Sequence, residues 1–403
     1  MLAFYVLAAL VVLQSLLSLR SGVRYLNFFR RELEAPRVFY MPFASVFVPC
    51  RGMDQGLSLN LLALFRQHYP VYELVFVSDR AEDPALEIAR QLARELEGET
   101  VARARFVVAG PSNDSGQKVH NLRAAVAEAD ASSEVFVFVD TDARPRADWL
   151  RALVAPLADE ATGAATGYRW FLPARGGFAS QLRSVWNASI ASALGANVRG
   201  NFCWGGSTAV RRETFGRLGM LERWRGTVSD DYALTRALQA AGLPIRFVPA
   251  CLTASVEDCT LGELFEFTTR QLKITRVYAP HLWAFVLVSN LLFVSVFFGG
   301  LALASVRAAA GLSFVWPLVI VSIIFLLGLW KSFFRLRAVA LVLEEQHGRL
   351  RAGLWAHLFL WPLTGALFLY NAAAAALSRR IIWRGIGYVL KSPTETEIIR
   401  PDA

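Results

Sequence analysis

Two carboxylates at the end of a hydrophobic stretch have the clearest chemical potential in this sequence. Asp140 and Asp142 flank Thr141 directly after the apolar run 134–139. Such a run predicts a strand, and open α/β sheets bind ligands at the carboxyl ends of their strands. Paired carboxylates suit a hard divalent cation, which can hold a diphosphate. The motif indicates nucleotide-sugar chemistry, although acidic turns after strands are commonly just solvated.

Two further positions fit a donor site at the same sheet edge. Asp79 ends a second strand beside Pro49, the end of the first, and a carboxylate there can accept the N–H of a pyrimidine ring. Lys118, with Asn121 one turn later on the same helical face, can reach a phosphate. Taken singly, Asp79 reads as a turn residue and Lys118 as a surface lysine.

A second acidic pair opens a later helix. Ser229 or Asp230 fits the N-cap position, so Asp230 and Asp231 can also serve only to complement the helix dipole. Displacement of a nucleoside diphosphate by a hydroxyl requires a carboxylate to take the acceptor proton. We therefore predict Asp231 as the catalytic base, supported by Asp230.

The residues that could bind the acceptor are less clearly indicated by the sequence. The segment 201–207 combines Cys203, Trp204 and Gly205 before a strand, which suits an acceptor wall or a buried turn. The amphipathic segment 265–278 carries Arg270 and Lys273 and runs into a membrane segment, as expected of an interfacial helix that can also close an active site against the bilayer. We predict that Arg270 and Lys273 bind the donor.

The elements that position these residues fall into an apolar frame and a charged middle. The chain has 403 residues, of which 55% are hydrophobic and 19% charged. Its apolar excess lies in four stretches near the roughly 20 residues that span a bilayer. These stretches are Leu2–Leu19, Trp283–Ser305, Leu312–Trp330 and Leu354–Leu377.

This distribution predicts five regions. They are an N-terminal signal anchor (1–22), a catalytic domain (40–260), an interfacial amphipathic helix (261–280), a transmembrane region with two or three spans or a re-entrant segment (281–378), and a basic C-terminal tail (379–403). Arg20, Arg24, Arg30 and Arg31 follow the first stretch, so the positive-inside rule places the catalytic domain in the cytoplasm. Pro362 and Gly365 interrupt the fourth stretch, which leaves a full span and a re-entrant hairpin both open.

Composition also restricts the partners and the redox state. The net charge of +9 fits basic helix ends at an anionic leaflet, and no basic helix or aromatic-basic sheet face indicates nucleic acid. Four cysteines without CxxC spacing are expected to be free thiols, mostly buried.

Between residues 44 and 250, short β-branched runs alternate with helical stretches. This alternation predicts βαβ units, a mostly parallel sheet and an α/β fold class. The sequence has neither the GxGxxG of a dinucleotide site nor a Walker phosphate loop. Nucleotide binding is therefore expected by a different route.

Taken in order, these motifs resemble those of membrane-bound family 2 and related inverting glycosyltransferases. The likeness is greatest to ceramide glucosyltransferases and related bacterial hopanoid-associated glycosyltransferases, and it covers nearly the whole chain. The stretches that carry it are 47–54, 68–74, 82–85 and 118–122, with Trp383-Arg384-Gly385 and Tyr388 similar to that group's tail.

The resemblance implies a GT-A Rossmann-like fold, a UDP-sugar donor, Mg or Mn at the DXD motif, and inversion. It assigns Asp79 to the uracil, Lys118 to the donor phosphates, Asp140 and Asp142 to the metal and diphosphate, and Asp231 to the base. The implied location is a bacterial inner membrane. Where the family has Gln or Arg, two variable residues and Arg-Trp, this chain has 270–274 with basic residues but no tryptophan. The missing tryptophan concerns which acceptor this chain uses.

The expected reaction is transfer of a hexose to a lipid hydroxyl such as that of ceramide, and glucose is the leading candidate for the hexose. Alternatives are a hopanoid or polyprenyl acceptor, processive polysaccharide synthesis, and a catalytically inactive membrane scaffold. The sequence identifies neither the sugar, nor the lipid, nor the oligomeric state.

Overall fold

The computed structural model describes residues 2–36 and 38–399, which fall into two compact units. The first, here the membrane unit, comprises 1–31, 172–192 and 258–378. The second, here called the catalytic unit after the role predicted for it, comprises 32–171, 193–257 and 379–403. Each unit is therefore assembled from three separate stretches of the chain.

Ten strands and fifteen α-helices make up the described chain. The strands are β1 (Ala44–Pro49), β2 (Tyr72–Ser78), β3 (Ala102–Val108), β4 (Val135–Phe138), β5 (Ala164–Leu172), β6 (Thr208–Arg211), β7 (Ile245–Val256), β8 (Arg380–Trp383), β9 (Ile386–Ser392) and β10 (Glu395–Ile399). The helices are α1 (Leu2–Glu34), α2 (Leu57–Phe65), α3 (Pro84–Glu95), α4 (Gln117–Ala127), α5 (Trp149–Val154), α6 (Phe178–Ala191), α7 (Arg212–Arg217), α8 (Met220–Arg223), α9 (Asp230–Ala240), α10 (Leu261–Tyr278), α11 (Pro280–Ala309), α12 (Val315–Ala340), α13 (His347–Ala352), α14 (Leu354–Phe359) and α15 (Trp361–Leu377). Short 3-10 turns occupy Ala155–Ala158 and Glu344–Gln346.

A seven-stranded sheet forms the centre of the catalytic unit. Its strand order is β3-β2-β1-β4-β6-β5-β7. The first four strands are parallel, whereas β6 runs antiparallel to both β4 and β5. The predicted α/β class with a mostly parallel sheet is confirmed.

Alternating side chains along the central strands fill two cores. Val46 and Phe76 belong to one apolar cluster, and Phe47 and Phe138 belong to the other. Strands buried on both faces read as continuous hydrophobic runs, which is why β1, β2 and β4 stand out in the sequence.

The register of these strands brings the candidate residues to one edge. Pro49 pairs with Val77, and Phe47 pairs with Phe138. Asp79 lies two residues after Val77, and Asp140 lies two residues after Phe138. Both carboxylates thus follow the carboxyl ends of β2 and β4, the two parallel strands that flank β1. The sheet thus positions both predicted carboxylates where such folds bind ligands.

The segment expected as a basic tail folds into a second sheet, which belongs to the catalytic unit. Its order is β10-β9-β8, and all the pairings are antiparallel. Arg384 and Gly385 form the two-residue turn between β8 and β9, with φ angles of 51° and 79°. Two positive φ values are typical of the type I′ hairpin turn, whose twist matches that of the strands.

Three helices in the part of the chain that the structure describes are long and apolar enough to cross a bilayer. They are Leu2–Glu34, Pro280–Ala309 and Val315–Ala340, which agrees with the apolar helices predicted at both ends of the chain. The fourth apolar stretch is divided between α14 and α15, with a proline in the first turn of α15. At 17 residues, α15 is shorter than those three. The helix therefore breaks at Leu360, two residues before Pro362, whereas Gly365 lies within α15.

Candidate active site

Lys118 joins the two acidic motifs of the catalytic unit. It lies in the first turn of α4, and its Nζ is 2.7 Å from Asp140 Oδ1 and 3.2 Å from Asp230 Oδ1. Its side chain is only 17% exposed. Residues 90 positions apart in sequence therefore meet around one ammonium group, and Lys118 is not the solvated surface residue that it resembles in isolation.

The charges in this cluster perturb one another. Burial alone would raise the pKa of Asp140, but the Lys118 and Arg169 cations hold it below the usual carboxyl value. Burial disfavours the Lys118 ammonium, yet Asp140 and Asp230 raise its pKa well above normal. Burial also raises the pKa of Asp230 to about 6; Lys118 opposes that rise, and the Asp231 and Asp140 carboxylates add to it. Such perturbed, coupled groups are characteristic of functional sites.

Asp231 is held in a defined orientation. Ser229 is the N-cap of α9, as one of the two expected assignments had it. Asp231 Oδ1 accepts hydrogen bonds from Ser229 Oγ and from the backbone N–H of Tyr232, the latter over 2.8 Å. Asp231 Oδ2 accepts from the N–H of Gly205 over 3.3 Å. A carboxylate fixed in this way presents its remaining lone pairs in one direction.

Gly205 allows the 201–207 segment to approach this cluster. A Cβ at this position would lie 2.7 Å from Lys118 Nζ and closer still to Asp230 Oδ2. Every larger residue would therefore displace the ion pair. The predicted acceptor-side residue Gly205 thus contacts the acidic cluster directly.

Trp204 and Cys203 pack behind Gly205. The Trp204 ring lies 5.5 Å from the Tyr168 ring, centroid to centroid, and the backbone N–H of Trp204 donates to Thr166 Oγ1. The Cys203 N–H donates to Thr235 Oγ1, and its side chain is buried. Both residues anchor the segment, and their role toward an acceptor stays a prediction.

Arg169 is a site residue that sequence reasoning missed. It projects from β5, with Nη1 2.8 Å from Asp142 Oδ2 and Nη2 3.5 Å from Asp140 Oδ2. Its guanidinium also lies 4.8 Å from the Trp204 ring centroid. The available signal was an arginine between aromatic residues in a buried strand, since a buried arginine requires anionic partners.

The donor set at Asp140 and Asp142 fits a hard cation. Asp142 Oδ1 is buried and has no hydrogen-bond partner within the described chain. No cluster of three or more His, Cys, Asp or Glu side chains able to hold a metal occurs in residues 2–36 and 38–399. Mg²⁺ typically binds through one or two carboxylates together with substrate phosphates, so two carboxylates are sufficient from the protein.

Asp79 and Pro49, the residues predicted to bind the uracil of the donor, lie beside a second ion pair. Asp79 Oδ2 is 2.5 Å from Arg51 Nη1, and Asp79 Oδ1 accepts from Ser78 Oγ. Pro49 ends β1 two residues before Arg51. The N–H of Gly52 donates to the buried Asp83 carboxylate, which also caps α3. The chain after β1 is thereby fixed against the Asp79 turn.

The C-terminal hairpin contributes a further cation that the sequence did not identify as a site residue. Arg384 Nη2 lies 2.6 Å from Asp54 Oδ1, and Asp54 Oδ2 accepts from Thr141 Oγ1 over 2.8 Å. Burial opposes ionisation of Arg384, but Asp54 and the more distant Asp142 and Asp140 raise its pKa above normal. The resemblance of the tail was a signal for this position.

Asn121 makes a different contact from the one expected of a phosphate ligand. It is buried, and its Oδ1 accepts from Gln117 Nε2 over 2.8 Å. Gln117 is in turn fixed by Tyr388, whose hydroxyl accepts the Gln117 N–H over 3.1 Å. Asn121 therefore supports the start of α4 next to Lys118, and its predicted contact with the donor is untested.

Arg270 and Lys273, also predicted to bind the donor, lie on α10 in the membrane unit. Arg270 Nη1 is 3.6 Å from Glu266 Oε1, and its guanidinium stacks over Phe267. A capping box of Thr260 and Glu263 begins this helix. A helix is present at Leu261–Tyr278. Its interfacial character and the role of its basic residues toward the donor stay predictions.

Comparisons with known proteins give a consistent family. The family model described as glycosyl transferase family 21 matches residues 3–396. Ceramide glucosyltransferase 1 of Caenorhabditis elegans is 22% identical over 245 residues, 60% of this chain and 52% of that protein. Ceramide glucosyltransferase 3 of the same organism is 22% identical over 350 residues, 85% of this chain and 72% of that protein. The chain thus spans about half the length of the first relative.

One solved structure covers most of the chain. It is the mannosyltransferase PcManGT from Pyrobaculum calidifontis, in complex with GDP-Man and Mn²⁺. It is 19% identical, with a TM-score of 0.49 over 92% of this chain and 98% of that chain.

Proposed function

Because the chain belongs to glycosyl transferase family 21, as the resemblance predicted, we propose that it is an inverting hexosyltransferase with a UDP-sugar donor and a membrane-lipid acceptor. The leading reaction is transfer of glucose to the hydroxyl of ceramide. The observation that carries the proposal is Lys118, whose ammonium contacts Asp140 on one side and Asp230 on the other. The residues for leaving-group binding and for proton removal thereby share one cluster.

The donor binds along the carboxyl edge of the sheet. Asp79 accepts the uracil N–H beside Pro49, and Lys118 offers its charge to the diphosphate. Asp140 and Asp142 would hold Mg or Mn, which would offset charge on the leaving diphosphate. The unpartnered Asp142 Oδ1 supports that assignment.

Asp231 acts as the general base. As the acceptor oxygen bonds to the anomeric carbon, its proton moves to Asp231, and the bond from that carbon to the diphosphate oxygen breaks with both electrons on the diphosphate. Attack opposite the leaving group inverts the anomeric configuration. The Gly205 N–H and Ser229 hydroxyl keep the Asp231 carboxylate oriented during this step.

The acceptor is proposed to be a lipid on two grounds. Both curated relatives are ceramide glucosyltransferases, and three helices are long and apolar enough to cross a membrane. The basic residues after the first span favour a cytoplasmic catalytic unit, in a bacterial inner membrane. Trp204 with its loop is the proposed acceptor-side contact, and Arg270 and Lys273 on α10 are proposed to bind the donor.

The test is release of UDP by purified full-length protein with Mn²⁺, UDP-glucose and ceramide in detergent micelles. We expect one hexose per lipid, identified by mass spectrometry, and no product from Asp231→Asn. A glycosylated hopanoid or polyprenyl lipid would identify that lipid, in place of ceramide, as the acceptor. A polymer would favour processive synthesis. Absence of UDP release with every UDP-sugar and lipid extract would support an inactive scaffold.

A further inference from the structure

Two basic residues near the end of α12 occupy an unusual environment in the membrane unit. Arg335 is 3% exposed, and its Nε is enclosed without a hydrogen-bond acceptor. Lys331, one helical turn earlier, is half-buried and donates to Ser18 Oγ over 2.7 Å. Neither residue has a carboxylate within ion-pair distance among residues 2–36 and 38–399. Two cations thus lie close together without a counter-ion.

The groups that face Arg335 do not supply negative charge. Arg335 interacts electrostatically with Tyr25 on α1, with Lys331 on its own helix and with His357 on α14. The Tyr25 hydroxyl is also buried without a hydrogen-bond partner in the described chain. His357 Nε2 lies 3.2 Å from Ser184 Oγ on α6. Tyr25, Lys331 and His357, which come from three helices of the unit, therefore place neutral or cationic groups near Arg335.

An uncompensated buried cation is costly, because desolvation of the charge is not balanced by an opposite charge. The ordinary solution for an arginine near a helix end is to extend its side chain to water. Arg337, two residues on and exposed, is free to do so, whereas Arg335 is enclosed. An anion beside Arg335 would offset this cost.

The position of the cluster along the helices identifies the kind of anion. The apolar stretches of α1 and α12 end at Leu19 and Trp330, and the cluster follows directly. Gly22 lets the two helices approach closely here, since a Cβ on it would lie 3.2 Å from Lys331 Cγ. Residues just beyond an apolar span lie at the level of lipid headgroups, and basic pockets between helices at that level bind anionic headgroups.

We propose that Lys331, Arg335 and the Tyr25 hydroxyl form a binding site for the phosphate of an anionic phospholipid headgroup. The phosphate supplies the missing counter-ion to Arg335 and accepts hydrogen bonds from all three side chains. The site ties the ends of α1 and α12 together. It is independent of the sugar-transfer reaction.

The test is thermal unfolding of the full-length protein in a neutral detergent, with phosphatidylglycerol, phosphatidylcholine or inorganic phosphate added. We expect phosphatidylglycerol alone to raise the unfolding temperature, by roughly 2 °C or more. Arg335→Met should abolish that rise and, without lipid, should unfold at a temperature no lower than wild type, because the uncompensated charge is gone. Arg337→Met, the matched control, should keep the rise.

Each other outcome overturns the proposal or part of it. An equal rise with inorganic phosphate would make this a soluble-anion site, and an equal rise with phosphatidylcholine would remove the requirement for negative charge. An unchanged response of Arg335→Met would reject the site. If Arg335→Met does not fold, Lys331→Met is compared with Arg337→Met by native mass spectrometry, where retained phosphatidylglycerol in Lys331→Met would also reject it. Since lipid binding is measured, failure of the proposed sugar transfer would not affect the result.

Discussion

Arg169 Nη1 donates to Asp142 Oδ2 over 2.8 Å, so a strand of the catalytic unit already provides a cation at the proposed metal ligands. A divalent ion must compete with that guanidinium for the same carboxylate. We therefore predict that Arg169→Met binds Mn²⁺ about tenfold more tightly without nucleotide, measured by electron paramagnetic resonance titration. Arg225→Met, which removes an exposed arginine, should match wild type. Weaker Mn²⁺ binding by Arg169→Met would contradict this competition.

Asp231 and Asp142 are predicted to differ in what their loss removes. Asp231→Asn should lower kcat by at least about 10²-fold, because the proton acceptor is lost, and should leave UDP affinity within about twofold. Asp142→Ala should weaken Mn²⁺-dependent UDP binding as well as turnover. Isothermal titration with UDP and Mn²⁺ separates the two. Equal loss of UDP binding in both variants would refute the assigned roles.

Gly205→Ala should disrupt the cluster, because the added methyl group would collide with Lys118 Nζ and Asp230. We expect turnover to fall by at least about tenfold and the unfolding temperature to drop. Gly216→Ala is the matched control, since a Cβ there meets nothing within 4 Å. In helix α7 it should be neutral or slightly stabilising, by about 0.5–1 kcal/mol. Full activity of Gly205→Ala would show that the close approach is dispensable.

The raised pKa of Asp230 predicts a specific pH dependence of stability. Its folded-state pKa of about 6 exceeds the usual 3.8, so as pH rises the unfolded chain loses this proton first. The folded state then binds more protons in this window, and stability falls from about pH 4 to pH 6. Asp230→Asn lacks this ionisation, so its unfolding temperature should rise relative to wild type across that window. Parallel pH profiles, measured by tryptophan fluorescence, would mean that Asp230 does not titrate there.

The Arg384→Asn variant tests the charge of Arg384 separately from its place in the hairpin turn. Asparagine before Gly385 favours the same type I′ turn, so the hairpin should remain folded. Loss of the guanidinium beside Asp54 should weaken UDP binding about tenfold, measured by titration with Mn²⁺ present. Lys391→Ala removes an exposed charge of the same small sheet and should leave UDP affinity unchanged. An Arg384→Asn protein with wild-type affinity would exclude this contribution.

Much of the catalytic unit was predictable because its central strands are buried on both faces. The runs that end at Pro49, Ser78 and Phe138 are almost entirely apolar, and parallel strands align their ends without further information. That alignment is sufficient to place Asp79 and Asp140 at one edge. The membrane helices were predictable for the same reason, since long apolar stretches have few alternatives.

The partners of the carboxylates were not predictable in the same way. Arg169 meets Asp142 through β5, whose place in the sheet depends on antiparallel pairing with β6. Arg384 reaches Asp54 across 330 residues. Neither contact has a local pattern, because periodicity gives the face of an element and not the element that packs against it.

The C-terminal hairpin also has a consequence for the order of synthesis. Arg384 and Tyr388 contact residues of the first third of the chain, yet they are made after α11 and α12. A ribosome translating this chain must therefore produce both apolar helices before Asp54 and Gln117 gain these two contacts. A nascent chain that stops before the hairpin lacks both contacts.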